Sequence, residues 1–195
     1  MSGLFIGIAG RSGAGKDTLA ERLVTRHGFV RVAIADPLKE LTGRAFDLDR
    51  EQLWGAGRDV VDARWELTPR QLYQRLGDAL RGCHPEALTR LWLRAVEEHR
   101  AVGRHVVTPD IRLPLELDAV RAADGALWRV ERPAQPLPPG GLHWTETALD
   151  ARDDWDARLL NNGDIDALWR AADLQLERRP EMTTGAADVA PRTRD

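Results

Sequence analysis

Cysteine, lysine and long apolar runs are what this chain mostly does without. Its one cysteine, Cys83, excludes an internal disulfide and any zinc site built on several cysteines, and it fits a reducing compartment. On sequence alone it reads as a small buried hydrophobe. No stretch approaches the ~20 apolar residues that span a bilayer. The apolar start MSGLFIGIAG has no basic region before it, so it reads as a strand rather than an export signal. The expectation is a cytoplasmic protein with no membrane contact. Positive charge is not in excess either: a net charge of -3 gives no general attraction to nucleic acid, so the expected partners are small molecules. Of 28 lysines and arginines, 26 are arginine, and only Lys16 and Lys39 remain. Where ordinary surface cations have drifted to arginine, a surviving lysine marks a place that needs a compact ammonium.

What is present fits one domain of 195 residues in which two periodicities alternate. Residues 4–9 (LFIGIA) form a short apolar run ending at Gly10, the pattern of a strand buried on both faces. Over 15–27 the period becomes helical, with Leu19, Ala20, Leu23 and Val24 on one face and Gly28 closing the helix. Residues 29–35 read as a second strand. Asp36 and Pro37 read as an N-cap and a first-turn proline, opening a helix to about Phe46. Residues 47–66 read as an irregular excursion or helical insert. Helices follow at 68–82, with Thr68 as cap, and from about 85 to 100, where Leu88, Leu91, Trp92, Ala95 and Val96 make an apolar stripe. A strand at 105–109 (HVVTP) leads to Asp110, then come a helix at 113–123 and a strand at 126–130. Residues 133–142, rich in Pro and Gly, read either as a loop over the site or as inert surface. A strand at 157–160, an Asn161-Asn162-Gly163 turn and a helix at 164–176 end the ordered part, and 177–195 read as a frayed tail. The alternation predicts an α/β fold: a central, mainly parallel five-stranded sheet covered by helices on both sides, with ligands at the carboxyl ends of the strands.

The chemistry concentrates in GRSGAGKDT, residues 10–18. Gly10-x-x-x-x-Gly15-Lys16 between strand and helix is the spacing of a phosphate-binding loop, in which backbone N–H groups and the helix N-terminus face the phosphates. Gly10, Ser12, Gly13, Ala14 and Gly15 are the cradle, and Lys16 bridges the terminal phosphates. The usual Ser or Thr after the lysine is replaced by Asp17, with Thr18 one place later; these two are the candidate magnesium contacts, through water. Asp110-Ile-Arg112 follows a strand, so Asp110 is either a ligand for metal-bound water or substrate, or a helix cap, and Arg112 is placed to meet phosphate. Glu116 lies one turn on, where a surface pair with Arg112 is the plainer reading. Arg58, Arg70, Arg81 and Arg132 lie in segments able to line a cleft, and Trp92 is either core or a surface for a base. A guanine signature of the Asn/Thr-Lys-x-Asp type is missing, which argues against a GTPase. A hydroxyl acceptor needs a carboxylate base, whereas an ionised phosphate acceptor needs charge screening, and the wealth of arginine favours the second.

In order along the chain, GRSGAGKDTLA, ADPLKE, TPRQLYQRLGDALR, the helix with Trp92, VVTPDIRLPLELDAVRAADGALWRVERP, HWTETALD and NNGDIDALWR resemble the bacteriophage-type deoxynucleoside monophosphate kinases, within the P-loop nucleoside-monophosphate kinases. The resemblance implies a three-layer α/β/α kinase domain over 1–176, with a helical acceptor-binding part at about 37–102, a lid-like loop at about 133–146 and a tail at 177–195. It implies ATP and Mg2+ held by Gly13, Gly15, Lys16, Asp17 and Thr18. It sets Lys39, Arg58, Arg70, Trp92, Asp110, Arg112 and Glu116 around the deoxynucleotide, and Arg132 closing from the lid side beside the catalytic Lys16, Asp110 and Arg112. The implied reaction is phosphorylation of a deoxynucleoside monophosphate to the diphosphate, and a homodimer stays open. Asp36 stands where a glycine can occur in the family, and residues 47–66 depart from its pattern. Two other readings remain: a kinase of another phosphorylated metabolite, of the phosphomevalonate or dephospho-coenzyme A type, and a nucleotide-sensing module without turnover.

Overall fold

Residues 2–133 and 147–178 are described by a computed structural model of the chain. The first apolar run becomes β1 (Phe5–Ala9), buried along its whole length because it is the central strand. It lies between β3 (Val106–Ile111) and β4 (Ala126–Glu131). Outside these lie β2 (Val30–Arg31) and β5 (Ala157–Leu160), giving the order β2-β3-β1-β4-β5 with every pairing parallel. One face of the sheet is covered by α1 (Lys16–His27) and α7 (Ile165–Glu177), which bring Leu19, Leu23, Leu168 and Leu176 onto Ile6, Ile8 and Trp128. The opposite face is covered by α5 (Ala87–Ala101) and α6 (Pro114–Ala122), which bring Trp92, Val96, Leu117 and Val120 onto Phe5, Val106 and Leu127. This is the three-layer arrangement expected, with a fully parallel sheet.

Between β2 and α5 lies a helical insert: α2 (Asp36–Phe46), α3 (Arg50–Trp54), a 3-10 turn at Ala56–Asp59 and α4 (Pro69–Cys83). It has its own small core of Leu48, Leu53 and Leu72. Two reciprocal caps set its helix starts. Asp49 and Gln52 exchange bonds of 2.8 and 3.0 Å, and Thr68 and Gln71 exchange bonds of 3.1 and 2.9 Å. Each removes orphan donors worth ~1 kcal/mol.

Several sequence expectations change here. The second strand stops after Arg31, although Val32 N–H still reaches the Val107 carbonyl at 3.0 Å. Beyond it, the N–H groups of Ala33 and Ile34 go to the carboxylates of Asp36 and Asp110 instead of the ladder. Asp36 is therefore not the N-cap of α2, a position held by Ala35; its carboxylate folds back on the strand end. Helix α4 passes through Gly82, and Cys83 at its end is exposed, not buried. The third strand runs on through Asp110 to Ile111. Helix α5, which follows the insert, packs Trp92 and Val96 into the sheet core. The last helix starts one residue late, with Asp164 capping the N–H groups of Asp166 and Ala167. The expected lid-like loop and the tail lie outside the described residues apart from Pro133, Glu177 and Arg178. No helix among the described residues is long and apolar enough to cross a membrane.

Candidate active site

The cradle sits at the carboxyl end of β1, where the chain must turn sharply and come close to its neighbours. Gly10 has φ +146°, and a Cβ there would stand 2.4 Å from the Val130 carbonyl oxygen; Gly15 has φ +108°, and a Cβ there would stand 2.6 Å from Asn161 Nδ2. Only glycine fits either position. Ser12, Gly13 and Ala14 form the arch between them, and α1 starts at Lys16, so its first N–H groups face the arch. Lys16 is buried and its Nζ donates to the carbonyls of Gly10 and Arg11, both at 2.8 Å. The ammonium thus lies across the loop, where anionic oxygens have most to gain from it. Asp17 and Thr18 follow in the first turn of α1. The Asp17 carboxylate is open to solvent and meets Arg31 of β2 at 3.2 Å.

An open pocket of about 320 Å³ flanks the cradle. Its floor is Gly13, Gly15, Lys16 and Thr18, and its far wall is Asn161, Gly163, Ile165 and Leu168. Arg132, just past β4, closes one side and donates to the Gly13 carbonyl at 3.3 Å. Polar groups and two aliphatic side chains, Ile165 and Leu168, line it together, and the volume suits a nucleotide.

A second cleft, only about 20 Å³, lies between the start of the loop and the ends of β3 and β4. Arg11, Arg112 and Arg129 line it. Asp150 joins two of them, accepting from Arg129 at 2.7 Å and from Arg11 at 3.0 Å. Burial pushes the Asp150 carboxyl up, but these two guanidinium groups outweigh it and hold it below the usual range. Three guanidinium groups against the phosphate loop form a place for concentrated negative charge.

The acceptor candidates collect on the insert side. Asp110 is half-buried, and both carboxylate oxygens accept from Ile34 N–H, at 3.1 and 3.2 Å. Desolvation pushes its pKa up to about 6, against the Ile34 bond, with Asp36 adding repulsion and Arg31 and Arg112 opposing it. Burial also raises Glu116, whose Oε2 accepts from the backbone N–H of Arg112 and Leu113 at 2.8 and 2.9 Å. Glu116 therefore shapes the turn that presents Arg112, by way of the backbone. Lys39 is half-buried, with its Nζ 5.6 Å from the Trp54 ring centre and 5.7 Å from that of Tyr73. Burial lowers its pKa; Asp36 and Asp110 oppose this, while Arg58 and Arg31 reinforce it. Arg58 and Arg70 meet on Asp59, with bonds of 3.2 Å and of 2.6 and 3.1 Å. Arg58, Arg31, Asp36 and Asp110 thus all lie within electrostatic reach of Lys39.

Trp92 does not join them. It is fully buried, edge-on to Phe5 at 5.9 Å, and its indole N–H donates to Thr108 Oγ1 at 3.1 Å. Sequence reasoning also passed over Arg11, Arg31, Arg129, Asp150 and Asn161. Arg129 did leave a signal, a charge inside the apolar strand ALWRV. Asn161 read only as part of a turn, yet its buried amide donates to the Ala14 carbonyl at 2.8 Å and accepts from Gly163 N–H at 3.0 Å, tying the cradle to the strand β5.

No family model matches the chain. A protein of Acanthamoeba polyphaga mimivirus assigned as a deoxynucleotide monophosphate kinase is 32% identical over 184 residues, spanning 85% of this chain and 92% of its own length. Among solved structures, TT1252 from Thermus thermophilus superposes with a TM-score of 0.51 at 18% identity, covering 91% of this chain and 98% of that one. An APS kinase of Mycobacterium tuberculosis gives 0.47 at 19% identity, covering 90% and 98%. The Thermus protein shares the fold.

Proposed function

The chain belongs to the deoxynucleotide monophosphate kinase family, and from that membership we propose that it transfers the γ-phosphoryl group of ATP to the 5'-phosphate of a deoxynucleoside monophosphate, releasing ADP and the diphosphate. The observation that carries this reading is the flanking of one glycine cradle by two unlike sites. One is the pocket of about 320 Å³ behind Lys16, and the other is the group formed by half-buried Lys39 and exposed Arg58 of the insert with Arg31 of β2 and Asp110 of β3.

In this reading the donor triphosphate lies on the N–H groups of residues 13–18, its base and sugar in the pocket under Arg132 and beside Ile165. Lys16 leaves the carbonyls of Gly10 and Arg11 for the β- and γ-phosphates, so its charge meets the migrating group at no cost in new ordering. Arg11, Arg112 and Arg129, lining the small cleft beside the loop, spread the charge that builds up during transfer. An acceptor phosphate is already ionised, which explains a site furnished with cations and not with a dedicated base. Asp110 and Glu116 orient and balance these cations; Lys39, Arg58 and Arg70 hold the acceptor.

The residues fit a magnesium ion carried in with ATP: Asp17 and Thr18 are hard oxygen donors in the first turn of α1 beside the phosphate loop, and the Asp17 carboxylate is open to solvent. When bound, the ion neutralises charge shared by the terminal phosphates. We further propose a cytoplasmic enzyme that works on small molecules alone, with a homodimer open to test.

The test is a coupled ADP-release assay over ribo- and deoxynucleoside monophosphates, with Lys16→Ala as control. Turnover on a deoxynucleoside monophosphate that disappears in the control is the expected result. Nucleotide binding with turnover on none of them would sink the transfer reading and favour a sensor.

A further inference from the structure

A nucleobase needs a flat surface to lie on, and the tryptophan that sequence offered for this, Trp92, is sealed in the core. Two other rings stand at the acceptor side. Trp54 ends α3 and Tyr73 lies in the second turn of α4; both are half-buried, and both face the same Lys39 ammonium, at 5.6 and 5.7 Å. Two rings from separate helices converge on one cation, so the gap that the lysine fills is bordered by both; Arg50 also lies over the Trp54 ring, its guanidinium carbon 5.5 Å from the centre.

The Trp54 ring is also held in place. Its Nε1–H donates to Asp36 Oδ1 at 2.8 Å, while Asp36 Oδ2 accepts from Ala33 N–H at 2.8 Å. One carboxylate thereby ties the ring edge to the end of β2, next to the phosphate loop. The charges around the gap pull Lys39 both ways: Arg58 and Arg31 repel it, Asp36 and Asp110 attract it. A phosphate arriving near Arg31 and Arg58 gives the ammonium a better partner than either ring and draws it out.

We infer that Trp54 and Tyr73 are the walls between which the acceptor's base is held, that Lys39 leaves the gap for the acceptor's phosphate, and that Asp36 is a positioning residue fixing the Trp54 ring. This rests on the phosphotransfer reading above and narrows it to acceptors with a planar heteroaromatic group, against aliphatic phosphorylated metabolites. Stacking is sequence-tolerant because every base has a π face, so the walls admit more than one base.

The full-length Trp54→Ala, Trp54→Phe, Tyr73→Ala and Asp36→Asn proteins test this, each assayed for turnover and for equilibrium binding of dAMP, dGMP, dCMP, dTMP and deoxyribose 5-phosphate. Trp54→Ala is expected to raise acceptor KM and Kd by about tenfold or more, the scale of one lost stacking face. ATP KM stays within about twofold. Trp54→Phe recovers most of the loss, and binding of deoxyribose 5-phosphate does not respond. Asp36→Asn, which keeps an acceptor for the indole, has the smaller effect. Unchanged acceptor binding in folded Trp54→Ala overturns the inference, as does an equal rise in both KM values that Trp54→Phe fails to rescue. Wild-type protein that binds deoxynucleotides through Trp54 without turning them over would refute the transfer reading and leave the walls standing.

Discussion

Asn161 holds the Ala14 carbonyl at 2.8 Å, so the crown of the phosphate loop hangs from a residue beyond the last strand. The amide is buried, and its oxygen is engaged by Gly163 N–H. Asn161→Ala removes both bonds and strands the Ala14 carbonyl. A net loss of about 1 kcal/mol in loop order corresponds to about a fivefold rise in ATP KM. Acceptor KM should hold constant. Steady-state kinetics with each substrate varied in turn checks this; equal weakening of both substrates would assign Asn161 to global stability.

Lys16 Nζ donates to the carbonyls of Gly10 and Arg11 within its own loop, and these two bonds join it to no other element of the fold. Lys16→Ala should therefore unfold at nearly the wild-type temperature while kcat falls by about 10²–10³, the usual loss for one charge-stabilising donor. Thermal melts beside the ADP-release assay provide the comparison. A variant that melts well below wild type would mean the lysine holds the loop together.

Gly15→Ala should abolish nucleotide binding, not merely weaken it. The new Cβ would stand 2.6 Å from Asn161 Nδ2 at a φ of +108°, so it must displace the amide or break the arch. Calorimetric titration with ATP checks the point. Binding within a factor of two of wild type would show that the arch adapts.

Trp92→Ala should cost about 3–5 kcal/mol of stability, since a fully buried ring leaves a cavity and takes one donor away from the Thr108 hydroxyl oxygen. The Thr108 hydroxyl still donates to the Val32 carbonyl at 2.7 Å, which limits the damage to packing. Urea unfolding measures the loss. In whatever fraction stays folded, acceptor KM should be unchanged; a rise confined to the acceptor would bring Trp92 back to the cleft.

Asp110 gives a pH prediction whose sign is opposite to that of a salt-bridged carboxylate. Its folded pKa of about 6 lies above the ordinary 3.8, so the folded state prefers the protonated form. The stability tied to that preference is complete below about pH 4 and is lost as pH rises through about 6. By the ordinary conversion the loss is of order 2–3 kcal/mol. Asp110→Asn should therefore gain on wild type between pH 4 and 7, and the gap in melting temperature should widen in that window. A gap independent of pH would show that Asp110 titrates normally.

The strand, loop and helix that open the chain were readable because everything needed lies within 25 residues: an apolar run, glycines at fixed spacing and a helical stripe closed by Gly28. The five parallel strands followed from the same alternation. What stayed hidden depends on partners far along the chain. The Asn161 amide finds Ala14 from 147 positions away, and Asp110 takes the Ile34 N–H from 76 positions away, cutting short a strand that composition would extend. Trp92 and Trp54 look alike in sequence, since each lies in a helix beside leucines. The difference is Thr108 waiting under one ring and Asp36 at the rim beside the other. Charged residues were legible by type but not by place: Arg58 and Arg70 were named, yet their junction at Asp59 and the Arg11–Asp150–Arg129 link appear only once the chain is folded.

The solvent-facing thiol at the far end of α4 turns a compositional accident into an experimental handle. Because Cys83 is the chain's one cysteine and stands outside the clefts, a maleimide dye or spin label attaches at a single position of the natural sequence. A second label placed on the sheet layer would then report, in real time, whether the insert swings toward the phosphate loop as each nucleotide arrives.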